Sequence, residues 1–566
     1  MLLVFTLISF SAAASHISLQ QSLVQDTTVK QVLHGRITDS AHNPLEGATV
    51  TIKKATTKTD AQGRFTLNAR VGETILVSFV GYKSTKYKIA SFAVLPDIVL
   101  QREAKTEEEV IISSGYQYVP KERATGAYTF VNNELLNSQT GTDILKRLDG
   151  IATGIYFNIG KTANANPQNT TNISIRGLST IHGPLDPLIV LDDYIYDGDY
   201  KNINPNDIES VTILKDAAAT SIYGARGANG VIVITSKRGK FNQSIQMDFN
   251  TTQSITAKPD FSSLPEMSVS DYIGVEEYLF NNGFFDAQIA NIPFFPLTPA
   301  VSVFLKKRQG LISKEDSATM IHNLLQTDSR EQYSKYFYDH ATTQQYGLNI
   351  TGGSSNLTWV FAGGYDRIKS ELKTISERVT LRINNTYKFS PKAQISFNAN
   401  FANNSEHGNA APAYNMISIN GRHVPYLAFA DDQGAALPIA RYLSESYTDT
   451  AGAGKLLDWK YYPLEDYKHT HQKSNTRDLT ASLRFSYKLF SGLDLDLSYQ
   501  YQNQISSFES LIDIDGYDAR DFINHFSQLN RNTGVVTYKI PPGGILDRGN
   551  SSLRSQTFRV QFNLQK

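Results

Sequence analysis

The sequence predicts a β-rich chain in three parts: a small N-terminal β-sandwich, a mixed α/β domain, and about eight strands of an incomplete transmembrane antiparallel β-barrel. Three observations lead to this fold class. Short strands with turn signals fill residues 32–101, strands and short helices follow up to residue 240, and long segments of alternating apolar and polar residues complete the chain. Alternation over about ten residues is typical of strands that face lipid on one side.

The composition narrows the class of protein further. The 566 residues contain 54 Lys and Arg, 54 Asp and Glu, and no Cys. Balanced charge argues against a basic nucleic-acid binder, so nucleic acid is not an expected partner. The absence of cysteine excludes disulfides, thiolate metal sites and cysteine nucleophiles, which suits an exported protein.

The one segment apolar enough to suggest a membrane lies at the N-terminus. Leu2–Ala14 is shorter than the roughly 20 residues that a membrane-spanning helix needs. Residues 1–14 are predicted to be a signal peptide that is cleaved before Ser15. No Lys or Arg precedes the apolar run, so either the true start lies upstream or the signal is atypical. Nothing downstream has the length of a spanning helix, so a membrane role requires a β-barrel.

Residues 32–101 are predicted to form the β-sandwich. Apolar and polar residues alternate in residues 48–52, and turn signals stand at Asn43-Pro44 and at Asp60–Gly63. Short strands at this spacing, without helical periodicity, favour a small sandwich. The segment holds no catalytic set, so we expect a structural or docking role.

Residues 102–116 are predicted to be a linker. Its first part is charged, and its second part, Val110–Tyr116, is short and apolar. This apolar segment is either one more edge strand or a tethered peptide that adds to the sheet edge of a partner protein.

Residues 117–240 are predicted to form the α/β domain. Asp216 begins an Ala-rich helix that stops at Gly224, and residues 230–235 return as a strand. The glycines at 224, 227 and 230 superficially resemble a phosphate-binding loop. Such a loop runs from a strand through the glycines into a helix N-terminus, whereas here the order is helix, glycines, strand. The order therefore argues against a nucleotide site.

Residues 241–566 are predicted to form the partial barrel. The eight alternating segments are residues 243–255, 342–354, 356–367, 379–389, 393–403, 479–489, 493–501 and 553–565. The connections alternate as well, since tight turns near residues 354, 391 and 491 are separated by longer segments. Short turns on one side and long loops on the other are the pattern of outer-membrane barrels. The apolar faces should contact lipid, and the polar faces should line a wet lumen.

Eight strands are too few for a whole barrel of this kind. About eight strands enclose little more than their own side chains, whereas about 22 leave a lumen that another domain can plug. The domain at residues 117–240 is far too large for an eight-stranded lumen. We therefore expect this chain to be an N-terminal fragment.

Metal and catalytic motifs are weak. Four aspartates around Gly516 superficially resemble a calcium loop but lack the glutamate at its twelfth position; they are Asp513, Asp515, Asp518 and Asp521. His469 and His471 have no third ligand nearby in sequence. The sequence contains no HExxH, G-x-S-x-G or Walker motif, so we expect no metal, no cofactor and no enzyme.

A long ordered signature appears in the α/β domain. Residues 204–211 (NPNDIESV) and 214–235 (LKDAAATSIYGARGANGVIVIT) resemble the plug signature of SusC/RagA-type TonB-dependent outer-membrane transporters. Residues 173–177 (ISIRG) and 187–193 (PLIVLDD) match the same plug. The plug-motif positions are Arg176, Gly177, Asp192, Lys215, Asp216, Tyr223, Gly224, Arg226, Gly227, Asn229 and Gly230. The N-terminal sandwich resembles the carboxypeptidase-regulatory-like, or transthyretin-like, domain common in that family.

The resemblance implies TonB-dependent active import of an oligosaccharide or a peptide across the outer membrane. The implied partners are TonB with ExbB–ExbD, a SusD-like surface lipoprotein, and the outer-membrane lipid around the barrel. The sandwich and the TonB box would lie on the periplasmic side. Alternatives are an outer-membrane signalling receptor and a non-transporting glycan-binding or adhesin surface protein.

The resemblance also implies a TonB box in the linker. Its residues are Glu108, Glu109, Val110, Ile111, Ile112, Ser113, Ser114 and Gly115. The segment departs from the commoner D-E-V-V-V-x-G-Y form by Glu for Asp, by Ile at two positions and by one extra Ser. These departures leave the register of pairing with TonB open.

Two groups of side chains have alternative roles. The charged plug residues Arg176, Lys215 and Arg226 either bind carboxylates of the barrel wall or face water. The plug glycines should serve turns and close packing. Aromatic residues in the predicted loops either stack on sugars or fill loop cores; they are Phe284, Phe285, Phe294, Phe295, Tyr461 and Tyr462.

Overall fold

The computed structural model describes residues 31–53, 55–91, 97–102, 111–120, 126–158, 170–177, 185–291, 294–530 and 532–564. The predicted signal peptide and the first part of the predicted TonB box, residues 108–110, lie outside this range. Among the described residues, no helix is long and apolar enough to cross a membrane. The chain divides into two compact units, residues 1–110 and 111–566.

The first unit is a two-sheet β-sandwich, as predicted. Its strands are β1 (Gln31–Asp39), β2 (Thr49–Ile52), β3 (Ala55–Lys58), β4 (Arg64–Ala69), β5 (Thr74–Phe79), β6 (Tyr82–Lys88) and β7 (Ile98–Leu100). One sheet has the order β4-β1-β7 and the other β3-β2-β5-β6. Alternate residues such as Ile37, Val50 and Ile75 are fully buried between the sheets, so the period-two pattern of the sequence builds the core.

The second unit contains the α/β domain, called the plug below. Its elements are β8 (Ile111–Ser113), β9 (Tyr118–Pro120), β10 (Tyr128–Asn132), α1 (Asn133–Asn137), β11 (Ile155–Phe157), β12 (Ile173–Ile175), β13 (Leu188–Leu191), β14 (Tyr194–Ile195), β15 (Ile208–Leu214), α2 (Ala217–Thr220) and β16 (Val231–Ser236). Five strands form one sheet in the order β10-β15-β16-β13-β14. Val211, Ile213 and Ile232 are buried in its core.

The second unit also contains an open eight-stranded antiparallel sheet, called the wall below. Its strands are β17 (Gln246–Thr256), β18 (Ala341–Gly353), β19 (Leu357–Lys369), β20 (Ile375–Ser390), β21 (Ala393–Gly408), β22 (Thr470–Phe490), β23 (Leu493–Ile512) and β26 (Ile545–Leu564). Each predicted segment overlaps a different strand of this sheet, so the partial-barrel prediction is confirmed. Several strands run further than predicted, because backbone pairing continues beyond the band in which apolar and polar residues alternate.

The two faces of the wall differ in polarity. On β20, Val379, Leu381 and Ile383 are exposed, whereas Thr380 and Arg382 between them are buried. On β19 to β23 the polar face lies against the plug, and the apolar face is the outer one, which is the arrangement predicted for a lipid-facing barrel.

The long connections are folded rather than irregular, which the sequence analysis did not predict. Their elements are α3 (Val269–Asn281), α4 (Asp286–Asn291), α5 (Pro299–Arg308), α6 (Lys314–Leu325), α7 (Ser329–Tyr336), α8 (Glu445–Thr450), α9 (Pro463–Asp466), α10 (Tyr517–His525), β24 (Ser527–Leu529) and β25 (Val536–Tyr538). Residues 257–340, 409–469 and 513–544 are called the loop domain below. All three segments contribute to one apolar core around Tyr333, Phe337 and Phe429.

Candidate functional site

Two aspartates at the turn between β13 and β14 link the plug to the wall. Asp192 and Asp193 both have positive φ, at 49° and 75°, a conformation that Asp tolerates better than most residues. The Asp193 carboxylate accepts hydrogen bonds from Arg484 of β22 at 2.6 Å and from Tyr118 of β9 at 2.9 Å. Arg238 lies 3.5 Å away. The Asp193 side chain is only 4% exposed, so the two arginines balance a charge that is almost fully removed from water.

The preceding residue, Asp192, also links the plug to the wall. Its carboxylate accepts hydrogen bonds from the Ser236 backbone at 2.9 Å, from the Ser236 hydroxyl, and from the Asn398 amide of β21 at 3.1 Å. Burial acts to raise the pKa of Asp192, but the nearby charges of Arg382 and Arg238 and the Ser236 hydrogen bonds outweigh burial and lower the pKa. Asp192 is therefore an ionised group held between plug and wall.

The plug segment from Tyr196 to Asn206 makes polar contacts with the wall. The Tyr196 hydroxyl donates to Asp478 of β22 at 2.5 Å. The Asp199 backbone N–H donates to Gln504 of β23 at 2.9 Å, and the Asn204 amide donates to Thr380 of β20 at 3.0 Å. Successive plug residues thus contact several wall strands through hydrogen bonds that can be exchanged for water.

Wall arginines reach the plug backbone. Arg378 of β20 is paired with Asp366 of β19 at 2.6 Å and donates to the Lys201 carbonyl. Arg382, four residues further along the same face of β20, is 4% exposed and donates to the Lys237 carbonyl at 2.7 Å. Main-chain carbonyls fix the position of the plug without requiring a plug side chain of opposite charge.

Two glycines form a notch in the wall. Gly347 of β18 and Gly364 of β19 are direct cross-strand partners. A Cβ at Gly364 would overlap the Asn204 amide, and a Cβ at Gly347 would lie 3.4 Å from the Asn206 amide nitrogen. The missing side chain at Gly364 therefore lets Asn204 approach the wall backbone, whereas a Cβ at Gly347 would only make an ordinary van der Waals contact with Asn206.

Two of the three charged plug residues singled out in the sequence have partners inside the plug. Lys215 Nζ donates to Thr129 of the plug at 2.8 Å, and Arg226 pairs with Asp197 of the plug at 2.5 Å. Arg176 is exposed. The alternative in which these residues bind carboxylates of the barrel wall stays a prediction.

The observed ion pairs have the reverse arrangement to plug cations bound by wall carboxylates: the carboxylates belong to the plug and the arginines belong to the wall. Sequence reasoning missed Asp193, Arg382 and Arg484 as linking residues. The sequence did contain a signal for these links. An arginine on the polar face of an alternating wall strand faces inward, where its charge requires a partner.

Other plug-motif residues have structural roles. Asp216 caps α2 by accepting from the Ala219 backbone at 2.8 Å, as the sequence predicts. Asn229 donates to the Asp186 carbonyl at 3.3 Å. Gly230 has a φ of 88°, and a Cβ there would lie 2.7 Å from Ile175. Gly177 and Gly224 also have positive φ, and Gly227 packs against Thr220, so turns and close packing account for these glycines.

The described part of the predicted TonB box is docked on the plug. Strand β8 pairs with β9 in an antiparallel hairpin, with Ile111 opposite Pro120. Ile112 and Ser113 are 3% and 4% exposed. The Tyr223 hydroxyl donates to the Ser114 carbonyl at 2.7 Å, and a Cβ at Gly115 would overlap that hydroxyl. One backbone edge of β8 is therefore already occupied within the chain.

The hairpin is also held by the wall. Gln561 of β26 donates to the Tyr116 carbonyl at 3.2 Å, and the Arg559 guanidinium lies 5.0 Å from the Tyr116 ring centroid. Burial raises the pKa of Tyr118 to about 12, so this hydroxyl remains a donor to Asp193 at neutral pH. Asp193 consequently joins three parts of the molecule: the hairpin, the plug sheet and the wall.

Some of the aromatic residues singled out in the loops fill the core of the loop domain, and others are exposed; stacking on sugars stays a prediction. Phe285 and Tyr461 are buried in its core at 5% and 8% exposure. Phe284 and Phe294 are exposed at 57% and 43%.

The calcium-loop pattern is not formed, because Asp518 pairs with Arg441 at 3.0 Å and Asp521 accepts from the Trp459 indole at 2.7 Å.

Comparison with known proteins agrees with this architecture. Residues 120–231 match the family model of the TonB-dependent receptor plug domain, and residues 33–112 match that of the CarboxypepD_reg-like domain. The TonB-dependent receptor SusC of Bacteroides thetaiotaomicron is 34% identical over 245 residues, which are 42% of this chain and 23% of SusC. The TonB-dependent receptor P26 of Formosa agariphila is 27% identical over 383 residues, which are 66% of this chain and 34% of P26.

The fold is also similar to solved structures. The RagAB peptide importer in its open-open state matches with a TM-score of 0.55 at 19% identity, covering 80% of this chain and 46% of that chain. A second RagAB peptide transporter structure matches with a TM-score of 0.53 at 19% identity, covering 77% of this chain and 45% of that chain. The chain thus spans less than half the length of these relatives.

The chain therefore contains a plug domain of the TonB-dependent receptor type, preceded by a CarboxypepD_reg-like domain. The relatives that it resembles in sequence include the TonB-dependent receptor SusC, and its fold is similar to that of the RagAB structures.

Proposed function

We propose that this chain supplies the plug, the energy-coupling hairpin and part of the wall of an importer that carries a nutrient across the outer membrane. The observation that carries the proposal is the docking of β8 and Ser114 against the plug, next to a plug held to its wall by polar contacts. In the proposed orientation, the sandwich, the hairpin and the short turns face the periplasm, and the loop domain faces outward.

The contacts of the hairpin suit mechanical opening. TonB would bind the segment Glu108–Gly115 by strand addition, in which backbone hydrogen bonds supply the affinity. Because β9 pairs with β8, the hairpin must open or offer its other edge before TonB can pair. A pulling force on Gly115 would then act first on the hydrogen bond from Tyr223 to Ser114. It would act next on the hydrogen bond from Tyr118 to Asp193.

The polar interface allows the plug to yield to such a pull. Each neutral hydrogen bond between plug and wall contributes about 1 kcal/mol net, because water replaces the lost partner, and each bond to a charged group contributes about 1.5–3 kcal/mol. A segment such as residues 196–206 can therefore leave the wall one contact at a time. An apolar interface would cost about 25 cal/mol for every Å² exposed, with no new hydrogen bonds to water in return.

The cargo and the outer partner follow from the same proposal. The similarity to the RagAB peptide importer supports a peptide as the proposed cargo, and the family resemblance of the sequence implies an oligosaccharide as the other candidate. A SusD-like lipoprotein is the proposed partner at the loop domain. Measuring the uptake of oligosaccharides and of peptides by cells that carry the full-length protein would distinguish between these two cargo classes.

The proposal is tested by deleting Glu108–Gly115 from the full-length protein. Uptake of radiolabelled cargo should be lost, while insertion into the outer membrane stays normal. The matched control is deletion of eight residues from the spacer at 18–25, which should leave uptake unchanged. Normal uptake by the 108–115 deletion would overturn the proposal, and surface binding that survives collapse of the proton gradient without accumulation would indicate an adhesin instead.

A further inference from the structure

A group of metal-ligating side chains lies where β22 begins and β23 has just ended. The Asp513 backbone N–H donates to the His469 carbonyl at 3.0 Å, so the antiparallel register places these two residues opposite each other. His469 Nδ1 lies 3.0 Å from Asp513 Oδ1, and His471 Nε2 lies 3.4 Å from Asp513 Oδ2. One ligand atom from each of His469, Asp513 and Asp515 lies within 4.8 Å of the other two.

Three of the carboxylates around this group already have cationic partners. Asp458 pairs with Arg520 at 3.1 Å, Glu465 with Lys468 at 2.7 Å, and Asp518 with Arg441 at 3.0 Å.

Asp513 and Asp515 differ from these neighbours. Within the described ranges, neither forms an ion pair with a Lys or Arg; Asp513 contacts the two imidazoles and accepts a hydrogen bond from the Asp515 backbone N–H at 2.9 Å. Two carboxylates without a Lys or Arg partner therefore lie beside His469.

We propose that His469, Asp513 and Asp515 bind a divalent transition-metal ion of the Zn²⁺ type. Imidazole nitrogen together with carboxylate oxygen selects zinc-like ions over calcium and magnesium, which take oxygen ligands almost alone. Tetrahedral zinc with bonds of about 2.0 Å holds neighbouring ligand atoms about 3.3 Å apart. His469 Nδ1 and the Asp513 carboxylate are at hydrogen-bond distance, 3.0 Å, so a small separation of these atoms together with rotation of the exposed Asp515 side chain brings three ligand atoms to this spacing.

The surroundings leave space for a fourth ligand. A cavity of about 440 Å³ adjoins the group and is lined by His469 and Asp515, together with Asp466 and Arg520. Three protein ligands with one open position are typical of zinc sites that bind water or a further molecule. His471 is a positioning residue, because it contacts the oxygen of Asp513 opposite His469.

The metal would join two separate segments of the loop domain. His469 ends the segment at residues 409–469, and Asp513 and Asp515 begin the segment at residues 513–544. A shared ion would fix these segments to each other at the rim of the wall. This inference goes beyond the proposed import and does not depend on it.

The test is calorimetric titration of the full chain in detergent micelles, made without a polyhistidine tag and treated with chelator, against ZnCl₂ and separately against CaCl₂. One equivalent of zinc should bind, and calcium should not compete. His469→Ala and Asp515→Asn should abolish binding, and His471→Gln should weaken it by about tenfold. Asp515→Asn changes an exposed side chain, so thermal unfolding can confirm that this variant keeps its fold.

A matched control is available in α10. His525 lies 3.3 Å from Asp521, a second His–Asp pair that lacks a further carboxylate of the same group. His525→Ala should leave zinc binding unchanged. Absence of zinc binding, zinc binding that persists in Asp515→Asn, or preferential calcium binding would each overturn the proposal.

Discussion

The loop domain and the plug–wall interface are held together by opposite kinds of contact. In the loop domain, Phe337 is fully buried, with ring centroids of Tyr333 and Phe429 at 5.5 and 5.0 Å. Between plug and wall, the contacts are polar, as in the pairs of Asp193 with Arg484 and Asn204 with Thr380. Apolar packing stabilises one fixed arrangement, whereas hydrogen bonds can be exchanged for water at little net cost. This difference in contacts indicates which region can move. The plug can leave its position stepwise while the loop domain stays folded.

The largest effect is expected from removing an aromatic anchor of the loop domain. Phe337→Ala should lower the free energy of unfolding of this domain by about 3–5 kcal/mol, because the substitution leaves a cavity among packed rings. Hydrogen exchange followed by mass spectrometry should show faster exchange in residues 329–338 and unchanged exchange in β13. Phe284→Ala, at an exposed position, is the control and should be nearly neutral. Equal effects of the two substitutions would contradict a fixed aromatic core.

A smaller effect is expected at the plug–wall link. Arg484→Ala should destabilise the docked plug by about 2 kcal/mol, because the buried Asp193 charge loses its shortest partner. Arg238 and Tyr118 remain near Asp193 and limit the loss. The measurement is hydrogen exchange in β13 and β14, with Arg484→Lys as the control that keeps the charge. Exchange that is unchanged in Arg484→Ala would mean that this ion pair does not hold the plug.

The smallest effect is expected in the hairpin. Tyr223→Phe removes the hydrogen bond to the Ser114 carbonyl, and its loss should destabilise the docked β8 by about 1 kcal/mol. Exchange of the Ile112 amide should therefore become about fivefold faster, while the rest of the plug is unaffected. Tyr156→Phe, at an exposed position of the plug, should change nothing. Slow exchange at Ile112 in Tyr223→Phe would show that the hairpin is held mainly by Tyr118 and β26.

The strands of the wall were predictable because lipid and lumen impose a strict period of two. Leu479, Leu483 and Tyr487 fall on the exposed face of β22, as their spacing requires. The helices of the loop domain were missed, although a capping signal was visible where Ser313 and Asp316 begin α6. In a region interpreted as loop, a single cap without a clear apolar stripe is a weak signal.

The links of the candidate site were harder to predict for a different reason. The Asp193–Arg484 pair joins residues 291 positions apart, and the approach of His469 to Asp513 depends on the register between β22 and β23. A sequence shows that such charges need partners, but the pairing follows from strand order and stagger. The Asp216 cap was predictable because its partner lies three residues away.

The notch formed by Gly347 and Gly364 has a consequence for a plug that leaves the wall and returns. A Cβ at Gly364 would lie 2.3 Å from the Asn204 amide nitrogen, so any side chain at this position would obstruct Asn204. The gap at Gly364 thus keeps open the position in which Asn204 donates to Thr380, and a returning plug segment finds that position free.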